Sequence, residues 1–284
     1  MRYPILSLFL LSSLSLPSSF AAAASLDAIA NGLAGHRAVY DVKMVARHSG
    51  SQIINVGGRM TYEWHKTCDG WVSDHQFALN YDYAEGPGMR INSDFSTFET
   101  LDGKGFDYTA RRKRDGELYD DLRGHAELKA NGGKAVFTKP EGLKFDLDAG
   151  MLYPTGHTIH LVEHALAGDK FYSAHIFDGS DDEGPIEINS FIGKRADSKL
   201  IAKGPKIDGN LLGGKAWNVR MAVFPLKDQE EKSDYEMNLV FHENGIISDM
   251  LIEYDDFSVT QKLVSLEKIP ADSCAEEGIP PAKL

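Results

Sequence analysis

The residues best suited by type and spacing to chemistry are His160, Glu163 and His164, in the run His160-Leu161-Val162-Glu163-His164. The run fits the H-x-x-E-H pattern, in which two imidazoles four positions apart on a helix can bind Zn²⁺ while the glutamate acts as base. His157 falls on the same helical strip. Such a centre would make the chain a zinc-dependent hydrolase. The competing expectation is an ordinary polar helix face, preferred because no second helix offers the further carboxylate that such enzymes use. The sequence therefore assigns no catalytic residue, no metal and no cofactor, and His160, Glu163 and His164 stand as the alternative.

Other clusters are weaker. Asp178, Ser180, Asp182 and Glu183 gather oxygen ligands, but Glu183 stands where an EF-hand loop needs Gly, and Asn189 where it needs a bidentate Glu. A solvated acidic turn is expected. Arg111-Arg112-Lys113-Arg114 precedes the turn pair Asp115-Gly116 and reads as the flank of a soluble hairpin, with contact to lipid phosphate as the alternative. Ser265-Leu266-Glu267-Lys268 matches S-x-x-K, yet it ends a predicted strand and has no Lys-Thr-Gly companion. No G-x-S-x-G elbow, P-loop or G-x-G-x-x-G occurs.

The N-terminus gives the chain an address. Arg2 precedes an apolar stretch from Ile5 to Leu16, followed by Pro17 and Ala21-Ala22-Ala23-Ala24, the three-part plan of a signal peptide cleaved near Ala24. The expectation is export to the periplasm, with residues 1–24 removed and residues 25–284 forming a single β-rich domain. The net charge of −12 favours solubility and disfavours nucleic acid as a partner. Any hydrolase reading would then apply to an envelope polymer. The only two cysteines, Cys68 and Cys274, are expected to pair in an oxidising compartment.

The elements that must position these groups are mostly strands. Tyr40, Val42, Met44 and Ala46 share one face, as do Phe77, Leu79, Tyr81 and Tyr83, and later Trp217, Val219, Met221 and Val223. Between such runs lie Asp69-Gly70, Asp102-Gly103, Asp115-Gly116, Asn131-Gly132, Asp178-Gly179 and Asn244-Gly245, all suited to tight turns. Roughly a dozen antiparallel strands are predicted. One segment differs: a helix from about Gly156 to Ala167, capped by Thr155, with Ile159, Leu161, Val162, Ala165 and Leu166 on its apolar side. Lys203 to Lys215 reads as a long loop. The fold class is mainly β: a large antiparallel curved sheet, a β-spiral or incomplete barrel, with one central amphipathic helix. An incompletely closed sheet would leave a concave apolar face suited to lipid or acyl chains.

Several stretches together resemble the alphaproteobacterial cell-envelope integrity protein B family: Tyr40-Asp41-Val42, Gly58 to Glu63, Cys68-Asp69-Gly70-Trp71, Leu101-Asp102-Gly103, Tyr153 to His157, His175 to Gly179, and Cys274. The resemblance spans essentially the whole chain after the signal. It implies a periplasmic, spiral-like antiparallel sheet with a Cys68–Cys274 disulfide, similar to the carriers that ferry lipoproteins to the outer membrane. It also implies a role in envelope integrity without a defined catalytic residue. The leading expectation is a non-enzymatic envelope protein whose apolar groove takes a lipid-like or lipoprotein ligand or a partner segment, with the Tyr153 to Gly168 region as one wall. A purely structural partner of another periplasmic or envelope protein is the further alternative.

Overall fold

The computed structural model describes residues 25–197, 201–227, 232–272 and 274. The proposed signal segment, residues 1–24, lies outside the described residues. The first arm of the sheet runs β1 (His36–Arg47), β2 (Ile53–Lys66), β3 (Gly70–Tyr83), β4 (Met89–Thr100), β5 (Gly105–Arg114), β6 (Glu117–Lys129), β7 (Gly132–Lys139) and β8 (Lys144–Leu147). The second runs β9 (Phe171–Ile176), β10 (Ile186–Arg195), β11 (Ala216–Pro225), β12 (Tyr235–His242), β13 (Ile247–Glu253) and β14 (Phe257–Lys268). All 14 strands form one sheet in the order β8 through β1, then β14 back to β9.

Each arm is a meander of neighbours, so its hydrogen bonds are local; the arms join where β1 pairs antiparallel with β14, Tyr40 opposite Leu263. The Tyr40 hydroxyl adds a bond to the Ile247 carbonyl at 2.6 Å. The free edges are β8 and β9. Helix α2 (Pro154–Ala167) connects them, and just before it Leu152 forms a parallel bridge with Ile176. The curved sheet thus wraps around α2 without closing its ladder.

The alternation read from sequence is visible in the burial. Val219, Met221, Leu239, Phe241, Met250, Ile252 and Val259 are buried and pack with Leu161, Val162 and Ala165 of α2. A second cluster lies under β5 to β8, where Phe106, Tyr108, Phe137, Tyr153 and Phe177 meet. Tyr108 fits there because two partners lack side chains. A Cβ on Gly124 would lie 2.1 Å from the Tyr108 hydroxyl, and one on Gly179, at φ +65°, would lie 2.4 Å from its ring.

Three sequence expectations change. A second short helix, α1 (Leu26–Gly32), capped by the Ser25 hydroxyl, accompanies the central one. Its single buried residue, Ile29, gives too little periodicity to announce it. Asp178-Gly179 is not a tight two-residue turn but part of the longer β9–β10 hairpin connection, with Gly179 at positive φ and folded back onto Tyr108. Thr155 is not the cap of α2: the N-cap is Tyr153, with Pro154 after it, and Tyr153 makes no side-chain capping bond.

The Cys68 and Cys274 sulfurs are bonded in the structure, their Cα atoms 5.5 Å apart. The bond ties the β2–β3 turn to the segment following β14.

An aromatic cleft at the N-terminal end of the central helix

The cap of α2 comes from across the barrel. Glu99 on β4 turns inward; its Oε2 accepts from the Thr155 amide at 2.7 Å and its Oε1 from the Gly156 amide at 3.0 Å. Helix N-termini carry unpaired amides, and burying them without acceptors is costly. Here a strand residue supplies the acceptor that the local sequence lacks. Tyr153 stacks on Phe106 beside it, with ring centroids 4.7 Å apart. Burial outweighs the two amide bonds and raises the Glu99 pKa to about 7.

Beside this anchor the inward face of β2 to β4 is arranged in rows. Strand register places Tyr62 opposite His75 and His75 opposite Phe95; the next row is Trp64, Ser73 and Thr97, and beyond it Trp71 stands opposite Glu99. Ser73 and Thr97 are small residues set among large rings, so the middle row leaves a gap. Pro154, Thr155 and Thr158 of α2, together with Asp178, line its other side, and the cleft measures about 190 Å³. Its rings touch in sequence: Trp64 and Trp71 at 4.6 Å, Tyr62 and His75 at 4.5 Å, His75 and Phe95 at 5.7 Å.

The cleft's electrostatics follow from its depth. Burial lowers the His75 pKa to about 4 and raises that of Tyr62, so both are neutral near pH 7. Each side chain nevertheless keeps part of its surface accessible, as expected for groups lining a concavity rather than filling a core. The Ser73 and Thr97 hydroxyls bond each other at 3.0 Å. Asp178 is half-buried, its Oδ1 accepts from the Ser180 amide at 2.9 Å, and burial raises its pKa.

The histidine strip sits elsewhere, on the flank of α2 facing β9. His160 Nδ1 meets Glu163 Oε2 at 3.1 Å, and His164 Nδ1 meets Asp169 Oδ2 at 2.7 Å. His157, His160 and His164 all lie against the Tyr172 ring, with centroids 5.7, 6.4 and 4.4 Å away. His157 is buried rather than solvent-facing, and its pKa is lowered to about 4 chiefly by that burial. Each imidazole of the H-x-x-E-H run therefore has a carboxylate of its own. Among the described residues, no group of three or more His, Cys, Asp or Glu side chains is arranged to hold a metal ion.

The remaining sequence candidates separate. Arg112 turns inward to pair with Asp120 and to donate to the Ser180 carbonyl, while Arg114 lies over the Tyr119 ring at 4.9 Å. The acidic loop caps its own backbone: besides the Asp178 bond, Asp181 Oδ1 accepts from the Glu183 amide at 2.9 Å. Ser265 donates to the Lys206 carbonyl at 3.3 Å, and a three-residue offset along a strand puts Lys268 on the opposite face from it.

Glu99, Ser73, Thr97 and Asp178 were not singled out from sequence as cleft residues. Glu99 had a signal: it shares the inward parity of Phe95 and Thr97, and a glutamate at that parity needs a partner indoors.

The sequence matches the EipB-like family over residues 27–270. It is 33% identical over 253 residues to the cell envelope integrity protein EipB of Brucella abortus, covering 88% of this chain and 89% of that one. A crystal structure from Brucella abortus, described as a β-barrel-like protein of a domain of unknown function, superposes with a TM-score of 0.77 at 31% identity, covering 84% of this chain and 99% of that one. Strand content, the open curved sheet and the sequence match agree, and the chain belongs to the EipB-like family.

Proposed function

We propose that this protein is a non-enzymatic periplasmic component that supports cell-envelope integrity, and that it does so by holding the end group of a lipid-like ligand in the cleft between β2–β4 and α2. The carrying observation is that Tyr62, His75 and Phe95 on β2 to β4 stay partly accessible around a gap, with the buried Trp64 and Trp71 behind them, while a buried carboxylate anchors the helix that roofs it. The envelope role is supported by the name of the Brucella relative, and the address by the signal-like N-terminus. Whole drug-sized ligands occupy roughly 300–1,000 Å³. A cleft of about 190 Å³ suits one end of an amphiphile better than an entire acyl chain.

Gently purified protein should carry an extractable amphiphile detectable by native mass spectrometry, and delipidated protein should take up a fluorescent acyl probe in a saturable way. Protein that carries no amphiphile and leaves the probe in solution would exclude the reading.

A further inference from the structure

We propose that the cleft receives an alkylated ammonium group, held against the rings of Tyr62, Trp64, Trp71 and Phe95 with the Asp178 carboxylate as its counter-ion. The proposal names the ligand class for the cleft and rests on the ligand-binding reading above.

Aromatic faces carry negative charge density and attract cations, most strongly where water is excluded. The lining contains rings, hydroxyls and one carboxylate, and no lysine or arginine. Asp178 forms no ion pair among the described residues. The nearby cation, Arg112, is engaged by Asp120 and by the Ser180 carbonyl. Asp178, on which the Arg112 charge is the smallest of several influences, therefore lines the aromatic box without a cation paired to it among the described residues. His75 is neutral there and does not compete as a cation.

Anionic groups are poorly served by the same lining. The Ser73 and Thr97 hydroxyls bond each other, which leaves one O–H of the pair, and the Glu99 carboxylate already occupies the Thr155 and Gly156 amides, donors that would otherwise receive an anion. Size agrees as well: a dry cavity of about 150 Å³ takes a benzene molecule. The cleft, at about 190 Å³, accommodates a trimethylammonium-sized group.

The test uses the intact protein at low ionic strength, titrated with tetramethylammonium and with choline. Tryptophan fluorescence reports binding, because Trp64 and Trp71 are two of the chain's three tryptophans. The neutral isostere 3,3-dimethylbutan-1-ol is the control. Saturable binding of both cations is expected, with the isostere weaker by about tenfold. Asp178→Asn should weaken the cations by a similar factor and leave the isostere unchanged. Phe95→Leu, which keeps apolar bulk but removes a π face, should weaken the cations several-fold and serves if the Asp178 variant does not fold.

Equal affinity for cation and isostere would overturn the proposal while leaving an apolar cleft. Cations that fail to bind to protein that still takes up the acyl probe would overturn the ammonium assignment alone. Failure of the acyl probe as well would remove the ligand-binding reading with it.

Discussion

The two arms of the sheet face the same central helix and carry the same alternating pattern, yet they treat it differently. On β11 to β14 the inward side chains Val219, Met221, Leu239, Phe241, Met250 and Val259 are buried against it. On β2 to β4 the inward Val56, Met60, Trp64, Trp71, Thr97 and Glu99 are buried too, but Tyr62, His75, Phe77, Leu79 and Phe95 remain partly accessible. One wall is closely packed and the other only partly so. Core packing on the first holds α2 in place, and on the second Glu99 grips only the helix's first turn, so the space beside that grip stays available. The tightest packing on α2 thus falls to β11 to β14, and the accessible rings beside it lie on β2 to β4.

The largest expected effect bears on the link between the arms. The Cys68–Cys274 bond joins the β2–β3 turn of the open wall to the segment after β14, with a sequence separation of 206. In the chain-entropy model a loop of that length is worth up to about 5 kcal/mol. Cys68→Ser should lower the melting temperature markedly and expose the C-terminal segment to protease. Equal melting in oxidising and reducing buffer would show that the arms hold together without it.

The next prediction contrasts the walls directly. Leu239→Ala empties a packed site and should cost about 2–5 kcal/mol. Phe77→Ala removes a larger ring from a partly accessible site, and should cost less than the full-burial figure of about 3–5 kcal/mol for Phe→Ala, near half of it. Denaturant melts of both variants check this. A Phe77 variant as damaged as the Leu239 variant would mean that the open wall is in fact core.

A smaller effect concerns the grip. Glu99→Ala leaves the buried Thr155 amide without its acceptor, at about 1–3 kcal/mol before relaxation, and the part-buried Gly156 amide at less. The pH dependence separates charge from geometry. The Glu99 pKa is raised in the fold to about 7, so its contribution is fully present below the ordinary carboxylate range and is lost as pH rises through 7. His75, His157 and His242 have folded pKa values lowered to about 4, so their contributions are present above 6.5 and are lost as pH falls toward 4. The melting-temperature advantage of the native protein over Glu99→Gln should therefore shrink as pH rises from the ordinary glutamate range to above 7, the histidines cancelling in the difference. An advantage constant with pH would show that folding does not raise the Glu99 pKa.

Much of the fold was legible because period-two alternation survives wherever one face is buried, and α2 was placed within two residues at its start. The difference between the walls was not. Phe77-Leu79-Tyr81 and Val219-Met221-Val223 read alike, since alternation reports which residues share a face and not what lies opposite. The helix cap was illegible for a related reason: the acceptor lies 56 positions before Thr155 and meets it only through sheet curvature. The cleft itself depends on Ser73 and Thr97 standing in one row across two strands, a coincidence of register that no single strand displays. The H-x-x-E-H run shows the reverse error of scale. Its local spacing is right for a metal, but Glu163 and Asp169 each take one imidazole.

The most direct test of the open wall is to fill it. Ser73→Phe places a ring in the gap between Trp64 and Thr97, and binding of the fluorescent acyl probe should then fall by about tenfold or more, the scale of a lost apolar contact of 1.4 kcal/mol or greater, while the melting temperature holds or rises. Unchanged probe affinity in a folded Ser73→Phe protein would contradict the account, because the ligand would then have to sit somewhere other than the cleft.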